Sequence, residues 1–264
     1  IMQTIHYPLP IEVRFSRKIQ TLIMKMRKDL IHQLSKIYQS PKANKFFARD
    51  ELNFSDEVKK FFKRFENEWN KNFSIFGIQA VEQMIKEANR EADLKLNAVF
   101  QDAKNAGIEV NFKIGAMPQS VKNVLYASTA EAAALIKSIP QQYLQRVQGE
   151  VYRSITSNKG SWSALVKEIE HLGALSRRRA IGIAKDQTKK SFSALNLAKA
   201  KVNGIKKGIW IHSGSPKHPR MKHKKFSGPV LDLDKGAPIG DKGQYVLPAE
   251  EPFCSCIWKP VLTF

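Results

Sequence analysis

From Ile11 to about Tyr38 the apolar residues fall at Ile11, Phe15, Ile19, Leu22, Ile23, Met26, Leu30, Leu34 and Ile37, with Arg and Lys between them. This is the spacing of one helical face, so the stretch predicts a basic amphipathic helix. Its expected stop is Gln39-Ser40-Pro41, because proline disfavours helical geometry in the residue before it. After a short linker, Ser55 is placed to cap a second helix that carries Phe61, Phe62, Phe65, Trp69, Phe73 and Phe76. That aromatic stripe reads as helix core. Gly77 breaks or bends the pattern, and a further helical stretch runs from Ile78 to about Ala106, closed by Gly107.

Residues 108 to 114 alternate apolar and polar, which predicts a short isolated strand. The helical pattern then resumes, with Ser128-Thr129-Ala130-Glu131 as a capping box and Ser138-Ile139-Pro140 as a fresh helix start. Asn158-Lys159-Gly160 predicts a turn. Ser161 to His171 predicts a short helix and Ser176 to Val202 a long one, ended by Asn203-Gly204. Beyond Gly204, short apolar runs at Ile209–Ile211, Val230–Leu233, Tyr245–Leu247 and Ile257–Leu262 alternate with Gly and Pro, as in a small sheet with long connections. The expected fold class is therefore α+β, a mainly α-helical N-terminal region with a small mixed, strand-containing C-terminal module. The expected divisions are 1–118, 119–204 and 205–264.

Charge adds a direction to this outline. The 264 residues carry 44 Lys and Arg against 24 Asp and Glu, a net charge of +20. The excess is +7 over residues 1–50, 0 over 51–150 and +13 over 151–264. A neutral centre between two basic ends fits a middle that packs and ends that meet something negative: nucleic acid, an anionic surface or an acidic protein. Arg177, Arg178 and Arg179, then Lys189 and Lys190, lie about three turns apart on one predicted helix, followed by Lys201, Lys206 and Lys207. Such a cluster tracks phosphates without reading bases, which makes double-stranded DNA a candidate partner. No run of about eighteen apolar residues occurs, so no membrane span is expected. The opening residues read as neither a signal peptide nor a lipidation motif.

The two cysteines, Cys254 and Cys256, are one residue apart, which excludes a long-range disulfide framework and points to a reducing compartment. Together with His212, His218 and His223 they offer donors for zinc, most simply His223 with both cysteines and a fourth ligand from His218 or Asp232. The single intervening residue is a tighter bite than the usual zinc knuckle, and the competing reading is small core cysteines with surface histidines. There is no phosphate-binding loop, dinucleotide fingerprint, nucleophile elbow or paired-histidine zincin helix, so no catalytic residue is assigned.

Several motifs occur in order along the last half. They are Arg179-Ala180-Ile181-Gly182-Ile183-Ala184-Lys185-Asp186-Gln187-Thr188-Lys189-Lys190, Gly208-Ile209-Trp210-Ile211-His212-Ser213-Gly214, His218-Pro219-Arg220-Met221-Lys222-His223, Phe226-Ser227-Gly228 and Pro252-Phe253-Cys254-Ser255-Cys256. Upstream, Ile136 to Ser154 looks like the helical lead-in of the same group. Over residues 125–264 the chain resembles the phage Mu F-like minor head protein family. The resemblance implies a structural, non-enzymatic component of a tailed-phage virion that meets the portal protein, with other capsid or scaffolding proteins, during procapsid assembly in the host cytoplasm. The family's recurring Arg-x-x-His and Pro-x-x-Cys-x-Cys elements map onto Arg220, His223, Pro252, Cys254 and Cys256. Ser255 stands where the family often has Arg, and Ser227 where Asp is common. Arg220 is expected to contact a carboxylate or carbonyl cluster that organises the turn, while His223 and the thiols hold the loops together with or without metal. The alternative expectation is a DNA-binding protein or metal-dependent nuclease acting on phage DNA.

Overall fold

The computed structural model describes residues 3–40, 53–108, 117–156, 161–214 and 219–262. In chain order the elements are α1 (Leu9–Tyr38), α2 (Asn53–Asn72), a π-helical turn (Phe73–Gly77), α3 (Ile78–Asn105), α4 (Gln119–Thr156), α5 (Trp162–Val202), β1 (Lys207–Ile211), α6 (Met221–Lys225), β2 (Val230–Asp232) and β3 (Ile257–Val261). The chain is a mainly helical α+β protein whose described strands form one small antiparallel sheet near the C-terminus. No described helix is long and apolar enough to cross a membrane.

α1 keeps the face the periodicity predicts, with Ile11, Phe15, Ile19, Ile23, Met26, Leu30 and Leu34 all buried. α2 begins at Asn53, so Ser55 lies inside the helix instead of capping it. At Gly77 a Cβ would stand 2.8 Å from Ile136 Cγ2, so the glycine marks a close packing contact at the end of the π-helical turn. The alternating stretch 109–114 and the turn at Asn158-Lys159-Gly160 lie outside the described residues.

Three expected helix boundaries are absent, two in α4 and the one between Ser161–His171 and Ser176–Val202, which form the single helix α5. α4 runs unbroken through Ser128–Glu131 and through Pro140. Thr129 Oγ1 donates back to the Leu125 carbonyl at 2.8 Å, a bond of the helix interior, not of a cap. A helix-interior proline costs about 3 kcal/mol. Burial of the neighbouring Ile136, Ile139, Tyr143 and Leu144 offsets that cost by tertiary packing. α5 is capped by Ser161, whose Oγ accepts the Ala164 N–H, and it continues through Gly173. There a Cβ would come 2.7 Å from Arg27 Cδ, so this glycine also serves close packing.

The chain divides into two compact units that do not follow sequential boundaries. One comprises 1–14, 82–132 and 184–264, the other 15–81 and 133–183. The expected partition at 118 and 204 falls inside the first unit. In the second unit, α2 lays Phe61, Phe62, Phe65 and Trp69 into the interior, and Tyr38 shares a 2.8 Å hydrogen bond with Ser154.

In the first unit the sheet order is β2-β1-β3 with both pairings antiparallel. Trp210 and Trp258 are register partners, both essentially fully buried. Gly208 admits this packing, since a Cβ there would lie 2.8 Å from Trp258 Cε3. Tyr245–Leu247 makes only an isolated bridge, Ala237 to Val246, instead of a strand. That bridge depends on Gly236, which has φ +82° and no room for a Cβ, as one would meet Val246 O at 2.7 Å. Gly236→Ala is expected to destabilise this unit by about 1–3 kcal/mol, read by chemical denaturation of the full chain. An unchanged midpoint would show that the turn relaxes freely.

Candidate metal centre

The last motif segments meet at the edge of the sheet. β1 delivers Trp210, α6 delivers His223, and the turn from Glu251 to Cys254 leads through Ser255 and Cys256 into β3. The turn is closed by a 3.0 Å hydrogen bond from Cys254 N–H to the Glu251 carbonyl. Phe253 adopts φ +58°, a left-handed conformation that costs a non-glycine residue roughly 1–2 kcal/mol. Two groups hold it there. The Phe253 N–H donates to Asp186 Oδ1, and Arg220 Nη2 donates to the Pro252 carbonyl at 2.9 Å. The turn that carries Cys254 is thus pinned from α5 and from the start of α6.

His223, Cys254 and Cys256 are all buried, both cysteines are free thiols, and one donor atom from each lies within 4.8 Å of the others. His223 Nδ1 is 3.5 Å from Cys254 Sγ and 3.6 Å from Cys256 Sγ. The opposite nitrogen, Nε2, lies 3.0 Å from Glu251 Oε2 but off the line of a good hydrogen bond, so both atoms lack a hydrogen-bond partner. Glu251 is fixed from its other side, where Oε1 accepts the Asp241 N–H at 2.8 Å and Gln244 Nε2 at 3.1 Å. Arg220 Nε sits 3.4 Å from Glu251 Oε2 and 3.3 Å from Asp241, bridging the two carboxylates. The Trp210 ring meets His223 edge-on, with centroids 5.2 Å apart.

The electrostatics favour one thiolate in the pair. A hydrogen bond from Cys256 pulls the Cys254 thiol far below its usual range against the opposing effect of burial, with His223 helping. Cys256, as the donor, is pushed up by the same bond and by burial. Burial pulls His223 down, but its hydrogen bond to Cys254 and the charges of Cys254 and Glu251 outweigh that and raise it. Two sulfurs and one imidazole nitrogen, preorganised and shielded from water, are the donors of a soft divalent metal site.

Other expected residues lie elsewhere. His212 Nδ1 accepts the Gly214 N–H at 3.1 Å, away from the cluster, and His218 lies outside the described residues. Asp232 Oδ1 accepts N–H groups of Asp234 and Lys235, so it closes a turn and is no fourth ligand. Gly228 has φ +114° and donates to the Trp210 carbonyl at 2.8 Å. Gln187 is buried and donates to Glu131 and Asp186. Arg179 belongs to the other unit, where it donates to Ser138 at 2.9 Å, as does Arg177, which donates to Gln20.

The expected phosphate-tracking group separates in the same way. Arg178, Lys206 and Lys207 are exposed, and Lys190 pairs with Glu131 at 2.7 Å. Lys189 is a correction to that expectation. It is only 3% exposed, donates to Ser255 at 2.7 Å and lies over the Tyr7 ring, with its pKa lowered first by burial and then by Lys185. An ammonium withdrawn in this way does not track phosphates. The helix periodicity that turns Thr188, Ser191 and Phe192 inward takes Lys189 with them. Sequence reasoning did not find Glu251. Its signal was adjacency to Pro252 in the cysteine motif, since ligand histidines commonly hand their second nitrogen to a carboxylate.

Comparison with known proteins gives one informative similarity. Over 137 residues, 52% of this chain, it is 34% identical to an uncharacterized protein of Haemophilus influenzae strain Rd. The matched stretch covers 29% of that relative, so this chain spans well under half of its length. No protein-family model matches the chain, and no solved structure matches it.

Proposed function

We propose that this chain is a structural minor head protein of a tailed bacteriophage, akin to the Mu F-like group, that docks at the portal vertex during procapsid assembly. The observation that carries this reading is convergence. Motif segments separated by up to about seventy positions, at Asp186, Trp210, Arg220, His223 and Pro252–Cys256, support one another around a single buried centre. Their polar groups are spent on holding each other. This mutual bracing supports a fastened docking module. Within this reading the centre secures the C-terminal loops, and zinc is the ion its imidazole and thiol donors suit.

The test is mass spectrometry of purified particles from the host strain, together with co-purification of the chain and portal protein. Presence in either supports the reading, and absence from both overturns it. The exposed, neighbouring Lys206 and Lys207 favour a secondary association with packaged DNA. That association predicts retention on duplex DNA that falls steeply with salt. Metal-dependent cleavage of the same DNA would replace the structural reading with the nuclease.

A further inference from the structure

Resting on the reading of the buried cluster as a metal centre, we propose that it is a zinc site held by His223 Nδ1, Cys254 Sγ and Cys256 Sγ, in which Glu251 is the positioning carboxylate.

The spacing of the donors is the first argument. Zinc bonds of about 2.0–2.1 Å to nitrogen and about 2.3 Å to sulfur, at the tetrahedral angle, place nitrogen and sulfur about 3.6 Å apart. The two observed separations are 3.5 and 3.6 Å. Hydrogen bonding alone accounts poorly for both at once. A neutral imidazole nitrogen has one lone pair, or one proton, in the ring plane, and serves one sulfur in line. A cation placed between the three atoms satisfies both contacts together.

The second argument is independent of those distances. Trp210 Nε1, His223 Nε2 and Glu251 Oε2 are buried polar atoms without a hydrogen-bond partner, and all three surround this cluster. His223 Nε2 and Glu251 Oε2 face each other at 3.0 Å without an aligned hydrogen, and misaligned polar groups at one buried centre call for an explanation. Metallation supplies it. Zinc on Nδ1 places the imidazole proton on Nε2, where Glu251 Oε2 at 3.0 Å accepts it after a small ring adjustment. The Trp210 indole N–H faces Cys256 off the line of a hydrogen bond, and a zinc-bound thiolate there would offer it an anionic acceptor.

Charge balances as well. Two thiolates and a neutral imidazole neutralise the dication, and the Glu251 charge is opposed by Arg220 at 3.4 Å. On binding, Cys256 gives up its proton, and any proton shared by Cys254 and His223 Nδ1 leaves as the zinc bonds form, with no change of oxidation state. Glu251 is held off the metal because Asp241 and Gln244 occupy its other oxygen. Among the described residues no fourth His, Cys, Asp or Glu joins the set. The metal joins α6 to the first residue of the β3 arm, and so fastens the turn that Asp186 and Arg220 already pin.

The experiment uses the full chain, reduced, stripped of metal by chelator and titrated with zinc and, in parallel, with cobalt(II). The expected result is one ion per chain, with cobalt giving tetrahedral visible bands and a thiolate charge-transfer band that zinc then bleaches. Cys256→Ser is expected to abolish the charge-transfer band or reduce it to that of one thiolate, while His212→Ala leaves binding unchanged. Glu251→Gln is expected to keep the two-thiolate spectrum and weaken zinc affinity by about 10–100-fold, which separates positioning from loss of the fold. A folded, reduced wild-type chain that takes up neither ion overturns the site. Uptake with octahedral cobalt bands that Cys256→Ser does not change overturns it equally, and Glu251→Gln with wild-type affinity overturns the role of that residue. Detection of the chain in particles does not depend on metal, so a virion protein that proves metal-free defeats this inference alone.

Discussion

Trp210→Ala is expected to lower the stability of the unit built on the sheet by about 3–5 kcal/mol, the usual range for truncating a buried large aromatic. The side chain is fully buried and forms a register pair with Trp258 in the β1–β3 ladder. It also meets His223 and Phe226 edge-on, at centroid separations of 5.2 and 6.0 Å. Removing it therefore opens a cavity where the sheet, α6 and the cysteine arm are joined, and the surrounding strands are too constrained to collapse into it. Guanidinium unfolding followed by far-UV circular dichroism measures the loss. Trp210→Phe retains an edge-on aromatic contact and is expected to lose less. If alanine costs under about 1 kcal/mol, the packing of this region is looser than its burial implies.

The legible part of the fold is the part set by local periodicity. The face of α1 and that of α2 as far as Phe73 follow from spacing because each must bury one stripe, and glycines at positive φ close α3 and α5 where expected, at Gly107 and Gly204. The sheet was legible as short apolar runs, except at Tyr245–Leu247, whose single bridge needs a partner that only the tertiary fold supplies. Helix interruptions were misread for the opposite reason. Pro140 and Gly173 are breakers by intrinsic preference, yet both sit inside continuous helices because buried neighbours and a close approach of Arg27 outweigh that preference.

The candidate centre shows the same split. His223 and the two cysteines stand out in sequence as residue types with metal chemistry, and the structure brings them together. Glu251, Asp186 and Arg220 act through carboxylate and carbonyl contacts that join positions as distant as 186 and 253, and no local pattern announces such pairings. Charge density misled in one place. Lys189 reads as part of a basic cluster, but helical phase turns it into the interior, where burial weakens its hold on a proton.

Helical phase also governs the last expected result, at the far end of α2. The aromatic stripe predicts that Phe65 and Phe76 are equivalent core residues, whereas Phe65 is 0% exposed and Phe76 is 56% exposed. The difference arises in the π-helical turn Phe73–Gly77, whose wider winding changes the angular phase after Phe73 and swings Ile75 and Phe76 outward. Phe65 instead packs between Phe61 and Trp69, with centroids 5.4 and 6.1 Å away. Phe65→Ala is accordingly expected to cost about 3–5 kcal/mol in the second unit, and Phe76→Ala no more than about 0.5 kcal/mol. Parallel denaturation of the two variants in the full chain decides the matter. Equal losses would mean that the stripe is buried along its whole length and that the π-helical turn does not set its end.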